Sequence, residues 1–139
     1  MSTKPTVLVT GASTGIGAVY ADRFAKRGHD LVLVARDRAK LEVLAQRLRK
    51  ETGVGIDILQ VDLTDPAQLE KVETLLRDDT RIGILVNNAG ASLAGSFIEQ
   101  TTDDTAKLIG LNTVAVTRLA GAVAPRFVKA GKGAIINIG

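Results

Sequence analysis

The chain has 139 residues, within reach of one domain, and a globule of that size buries about two thirds of the surface its unfolded chain exposes. Hydrophobic residues at 45% against charged residues at 24% fit a soluble globular class, and the lack of cysteine excludes a disulfide framework, a thiolate metal site and a thiol nucleophile. A net charge of +3 raises nucleic-acid binding, but aromatics at 3% leave little to stack on bases, and the densest basic stretch, "ARDRAKLEVLAQRLRKE", interleaves cations with apolar residues as a solvated helix face does, so no nucleic-acid partner is expected.

The opening "MSTKPTVLVT" holds no apolar run of signal-peptide length and no later segment is read as approaching a membrane span, so a cytoplasmic protein with no membrane partner is expected. "TVLVT" at Thr6–Thr10 reads as the first strand, rich in branched aliphatics. It runs into Thr10-Gly11-Ala12-Ser13-Thr14-Gly15-Ile16-Gly17 and then a helix that ends near Gly28, placed after "FAKR" as a left-handed cap. Tyr20, on that helix, is read as a packing or surface residue. "LVLVA" at Leu31–Ala35 is the second strand, followed by Arg36 and Asp37. Leu41, Leu44, Ala45 and Leu48 then mark one face of a helix.

"IDILQV", residues 56–61, is the third strand and leads into Asp62. Asp65 before Pro66 places a side-chain acceptor at an N-cap and proline at the first helical position, ahead of the apolar face of Leu69, Val72 and Leu76. "IGILVN" at Ile82–Asn87 is the fourth strand and closes on "NNAG". A loop around "GASLAGSF" precedes a long helix expected over Thr102–Ala130, which Pro125 should kink or loosen near its end by removing a backbone donor. "AIINI", residues 134–138, is the fifth strand.

Strands that are nearly all apolar need cover on both faces, which helical crossovers supply in a parallel sheet. The alternation of strand and helix therefore predicts a doubly wound α/β fold of Rossmann type, one dinucleotide-binding domain over residues 1–139 with five strands present. Ligands in such sheets bind beyond the carboxyl ends of the strands, where the glycine-rich loop stands. Gly11 permits a sharp turn, Gly15 lets backbone approach a pyrophosphate, and Gly17 lets the helix sit close, its free N–H groups facing the anion. The bland alternative is a turn that merely needs positive φ.

The spacing Thr-Gly-x-x-x-Gly-Ile-Gly, with "VDLTD" after the third strand, "NNAG" after the fourth, "LNTVA" in the long helix and the "GAIINIG" ending, resembles the short-chain dehydrogenase/reductase family from about Thr6 to Gly139. The resemblance implies hydride transfer between a nicotinamide and a carbonyl or alcohol substrate. It implies that Ser13, Thr14 and Ile16 contact the phosphates, that Asp62 and the Leu63 backbone face adenine, and that Asn88, Ala89 and Gly90 flank the ribose. Asp62 could instead cap the "LTDPAQ" turn, and Asn87 is expected to tie neighbouring strands together. NAD-preferring relatives carry an acid at the place of Ala35. Here Arg36 follows, and a guanidinium pairs with a 2′-phosphate, so NADP(H) is expected rather than NAD, unless Asp37 serves NAD and Arg36 is simply solvated.

The family's acid–base pair is a Tyr-x-x-x-Lys assisted by a serine, and no Tyr-x-x-x-Lys occurs in these residues: Tyr20 is followed four positions on by Phe24. The resemblance places the serine and that pair, with the later strands and helices of the domain, beyond Gly139, so the domain is expected to be incomplete at its C-terminal end and the 139 residues alone to be inactive. Of the catalytic residues it leaves Asn112, matching the helix asparagine that supports the lysine through a water relay, or else a local polar contact. It also implies a homo-oligomer, dimer or tetramer, assembled through the long helix. The alternative function is a non-catalytic dinucleotide-binding or interaction module.

Overall fold

The structure, a computed structural model, describes residues 3–91 and 95–139, so the centre of the "GASLAGSF" loop lies outside the described residues. The strands are β1 (Thr6–Thr10), β2 (Leu31–Ala35), β3 (Ile56–Gln60), β4 (Ile82–Asn87) and β5 (Ala134–Asn137), and the helices α1 (Gly15–Lys26), α2 (Arg38–Thr52), α3 (Pro66–Asp78), α4 (Thr102–Ile109) and α5 (Val116–Ala130). A short 3-10 turn, Phe97–Glu99, precedes α4, and a π-helical stretch, Gly110–Ala115, joins α4 to α5.

All strand pairs are parallel, in the order β3-β2-β1-β4-β5. The order reverses direction between β1 and β4. Beyond their carboxyl ends the crossovers diverge, which opens a crevice there. Period-two alternation along β1 feeds two cores: Leu8 packs with Leu69, Val72, Leu76, Leu119 and Val123 from α3 and α5, while Val7 and Val9 pack with Ala21, Ala25, Leu41 and Leu48 from α1 and α2. Each fully buried Leu or Val contributes roughly 1.5–3 kcal/mol relative to exposure. The edge strands are less covered: β3 and β5 both keep exposed positions, so the apolar run of the fifth strand does not translate into burial on both faces.

Local signals set the helix ends. Asp37 accepts from Lys40 N–H at 3.1 Å to cap α2, and Asp65 accepts from Ala67 N–H at 2.9 Å to cap α3, with Pro66 at its first position. Gly28, with φ 90°, follows α1 as expected. Across α3 and α5, the exposed Arg118 forks onto the buried Glu73 at 2.5 and 3.1 Å.

The helix continues through Pro125 to Ala130, and a π-helical stretch unannounced by the sequence lies at Gly110–Ala115. One sequence expectation, that no segment approaches a membrane span, is corrected: Thr102–Ala130 forms 29 residues of helix, long and apolar enough to cross a bilayer by length and composition. Scattered Gly, Ala and Thr hide this from a search for unbroken apolar runs. One side of α5 buries Leu119, Val123 and Phe127 against the sheet, and α4 buries none of its residues.

Candidate functional site

The glycine-rich turn is built from β1 outward. The buried Thr10 hydroxyl oxygen accepts from the Asn88 and Ala89 amides at 3.0 and 2.9 Å, and Asn88 Nδ2 donates to the Gly11 carbonyl at 3.2 Å. The end of β4 therefore holds the first glycine of the turn in place. A Cβ at Gly17 would overlap the Gly11 carbonyl and come within 2.5 Å of Asn88 Nδ2, so only glycine lets α1 start this close. Gly15 differs: its φ is +56° and a Cβ there would meet nothing within 4 Å, leaving the outer side of the turn open.

α1 also lacks a side-chain partner at its start. Thr14 at its N-cap makes no side-chain cap bond and the first turn has no acidic residue, whereas Asp37, Asp65 and Thr101 cap α2, α3 and α4. Unbonded N–H groups and the positive end of the helix dipole thus face outward next to Ser13, Thr14 and Ile16, with Thr14 and Ile16 exposed. Such a surface has the donors and the positive end to suit an anion, with no carboxylate in its first turn to compete.

Next to the turn, Gly11, Arg36, Asp62, Leu63, Ala89 and Gly90 line one cavity of about 120 Å³ whose far wall is Leu111. Six of the residues that sequence reasoning assigned to cofactor thus meet in one place. Three clefts among the described residues are larger: about 590 Å³ beside α3 and α5 and about 630 Å³ at the opposite, amino-terminal ends of the strands gather none of these residues, and one of about 470 Å³ beside the start of α3 shares only Leu63.

At the exit of the second strand, the exposed Asp37 accepts the α2 capping bond through Oδ1, and the Arg36 guanidinium makes no hydrogen bond or salt bridge to a described residue. Asp62 Oδ1 accepts from both the Thr64 hydroxyl at 2.7 Å and the Thr64 amide at 2.9 Å, and the Asp62 amide donates to Gln68 Oε1 at 2.7 Å. The Thr64 hydroxyl, foremost, holds the Asp62 carboxyl below the usual aspartate value; burial opposes this, and the Thr64 amide and the charges of Arg36 and Lys107 reinforce it. Asp62 therefore does cap its own turn. Oδ2 takes no hydrogen bond among the described residues, so one carboxylate oxygen of this cavity-lining residue stays available as an acceptor.

Asn112 stands apart from the cavity's polar groups. In the π-helical stretch, its Oδ1 accepts from the Ala91 amide at 2.9 Å and its Nδ2 donates to the Ala91 carbonyl at 2.7 Å. Both side-chain atoms are spent on the backbone N–H and C=O of one residue, the local polar contact left open above, and the chain leaving β4 is fixed by it. Asn87 is buried and donates to Asn137 Oδ1 at 3.1 Å, joining β4 to β5. Tyr20 stacks on Phe24 at 6.3 Å against the α1–α2 core, away from any acid–base partner. Sequence reasoning missed Thr10, Thr64, Gln68 and Gln60. The Asp-x-Thr spacing could have pointed to the Asp62–Thr64 turn; nothing local marks the long-range bonds of Thr10 and Gln60.

The family model for short chain dehydrogenase matches residues 5–139. The chain belongs to the short-chain dehydrogenase family. Among solved structures it is similar to a short-chain dehydrogenase from Sphingobium yanoikuyae in complex with NADPH (64% identity, TM-score 0.95, covering 97% of this chain and 53% of that one). It is similar also to the bulky-bulky ketone specific alcohol dehydrogenase from Comamonas testosteroni (58% identity, TM-score 0.97, covering 99% and 55%). Among curated proteins, the Very-long-chain 3-oxoacyl-CoA reductase of Macaca fascicularis is 36% identical over 135 residues, 94% of this chain and 43% of that protein. This short-chain dehydrogenase sequence thus spans about half the length of the solved relatives and 43% of the curated one. The parallel five-stranded sheet with helices on both faces is the family's fold, and relatives solved with NADPH or an NADP derivative associate that fold with a nicotinamide dinucleotide.

Proposed function

We propose that this chain is the cofactor-binding portion of an NADP(H)-dependent oxidoreductase that interconverts a carbonyl and an alcohol. The observation that carries the reading is the Arg36 guanidinium, hydrogen-bonded to no described residue and lining a cavity with Gly11, at a strand end where Ala35 replaces the acid of NAD-binding chains and Asp37 takes a helix-capping bond. Gly11, Ser13, Thr14, Gly15, Ile16 and Gly17 receive the pyrophosphate, Arg36 the 2′-phosphate, Asp62 and Leu63 the adenine, and Asn88, Ala89 and Gly90 the adenosine ribose. When bound, the nicotinamide supplies or accepts the hydride. The proton on the substrate oxygen needs a group other than Tyr20, whose ring is packed on Phe24, so turnover belongs to a polypeptide that supplies the acid–base pair as well. Asn112 contributes by holding the Ala91 peptide at the mouth of the site.

The substrate reading stays at the level of chemistry shared by the relatives, whose names include a ketone-specific alcohol dehydrogenase and an oxoacyl-CoA reductase. A homo-oligomer assembled on the outer face of Thr102–Ala130 accounts for the apolar residues Ile109, Val114 and Val128 that this helix leaves exposed. Replacing Arg36 by alanine should weaken NADPH binding about ten- to a hundredfold, the usual worth of a bond to a charged group, and leave NADH binding unchanged. Calorimetric titration with both nucleotides measures this, and an equal loss for both refutes the assignment.

A further inference from the structure

Gln60 ends β3 and lies opposite Ala35 in the parallel pairing with β2. The following amide, Val61 N–H, donates to the Ala35 carbonyl at 3.1 Å, and Gln60 Nε2 donates to the Arg36 carbonyl, also at 3.1 Å. Two successive carbonyls of the segment leaving β2 are thus held from the end of β3. One residue later, Asp37 is fixed by its bond to Lys40 N–H. The Arg36 backbone is therefore restrained on both sides while its guanidinium carries no bond to a described residue and its residue lines the same cavity as Gly11 and Asp62.

An arginine on an unrestrained loop loses both backbone and side-chain freedom when it takes hold of a phosphate. An arginine whose peptide is already anchored loses mainly side-chain freedom, and its fork is presented from a fixed Cα. We propose that Gln60 is a positioning residue for cofactor selectivity: by anchoring the Arg36 peptide it presents the guanidinium to the 2′-phosphate and so sets the preference for NADP(H) over NAD(H). The inference rests on the cofactor reading of Arg36 given above. It concerns only the phosphorylated nucleotide, because NAD(H) offers nothing at that position for the guanidinium to grip.

Gln60 is exposed and sits on an edge strand, so its side chain can be changed without disturbing either core. Gln60→Met keeps the length and removes the donor. Gln60→Glu keeps the shape, cannot donate to the Arg36 carbonyl when ionised, and adds a negative charge next to the phosphate. Each is titrated calorimetrically with NADPH and with NADH, alongside Arg36→Ala and the double variant Gln60→Met/Arg36→Ala. Retained NADH affinity reports that the cradle is folded.

Losing one hydrogen bond of this kind should weaken NADPH binding about two- to tenfold in Gln60→Met. Gln60→Glu should lose more, NADH affinity should stay at the parent value in both, and Gln60→Met should add nothing once Arg36 is alanine. Unchanged NADPH affinity in Gln60→Met overturns the proposal, as does equal loss of both nucleotides or an undiminished effect in the Arg36→Ala background. These results leave the role of Arg36 standing if Arg36→Ala alone loses NADPH. Should Arg36→Ala bind NADPH as the parent does, the cofactor reading fails and this inference with it.

Discussion

Gly15 and Gly17 stand two residues apart and answer to different constraints. Gly17 is glycine because a neighbour is in the way; Gly15 because of its backbone, with open space where a side chain would go. Gly15→Ala should therefore cost about 1–2 kcal/mol of stability for the left-handed conformation, yet lose dinucleotide affinity out of proportion, since the new methyl intrudes on the anion's side. Gly17→Ala should cost about 1–3 kcal/mol through overpacking and displace Asn88, so stability and binding fall together. Denaturant midpoints and nucleotide titrations on the two variants separate these outcomes; matching behaviour would contradict the distinction. Residue-level reading of the sequence went furthest where the partner is close in the chain, as for Asp65 before Pro66. It left Asp62 suspended between adenine and its own turn, and the turn bond to Thr64 turns out to use only one carboxylate oxygen. Asn112 was harder to read because its partner peptide, at Ala91, is 21 residues away.

At the level of elements, branched-aliphatic runs located all five strands to within a residue at each end, because a parallel sheet favours such runs, most strongly in the central strands that it covers on both sides. The π-helical stretch at Gly110–Ala115 had no such signature: one additional residue in a helix changes no periodicity that a short window detects. Gly121 offers a test of what the outer face of α5 does. It is exposed, helical, and would place a Cβ within 4 Å of nothing, so in the isolated chain Gly121→Gln should raise stability by about 0.5–1 kcal/mol through helix propensity alone. If copies of the chain associate along this face, the same substitution should drive the assembly towards monomer in sedimentation equilibrium. An oligomer that survives it would place the contact elsewhere.

For the molecule as a whole, three carboxyls are held below their ordinary values: Asp22 first by Lys26 and then Arg47, Asp62 first by Thr64, and Asp79 first by Arg81. A carboxyl whose folded value is depressed stabilises the fold above the unfolded value of about 3.9, and that contribution is lost as pH falls through the folded value. Resistance to urea should therefore hold from neutrality down to about pH 4 and decline below it. Asp62→Asn should flatten the decline, and a parent protein equally stable at pH 7 and pH 3 would contradict this account. Asp22 and Asp79 pair with half-exposed or exposed cations, so each adds little at physiological salt.

The Thr10 hydroxyl accepts from amides 78 and 79 positions further along the chain, and Asn88 reaches back 77 positions to Gly11. The glycine-rich turn after β1 is thus unfinished until β4 has been synthesised and docked beside β1. Competence to capture a nucleotide should consequently emerge late in refolding, in step with long-range closure rather than with the fast formation of α1. The completed turn is thus a marker of assembly, set by one hydroxyl where two distant stretches of chain meet.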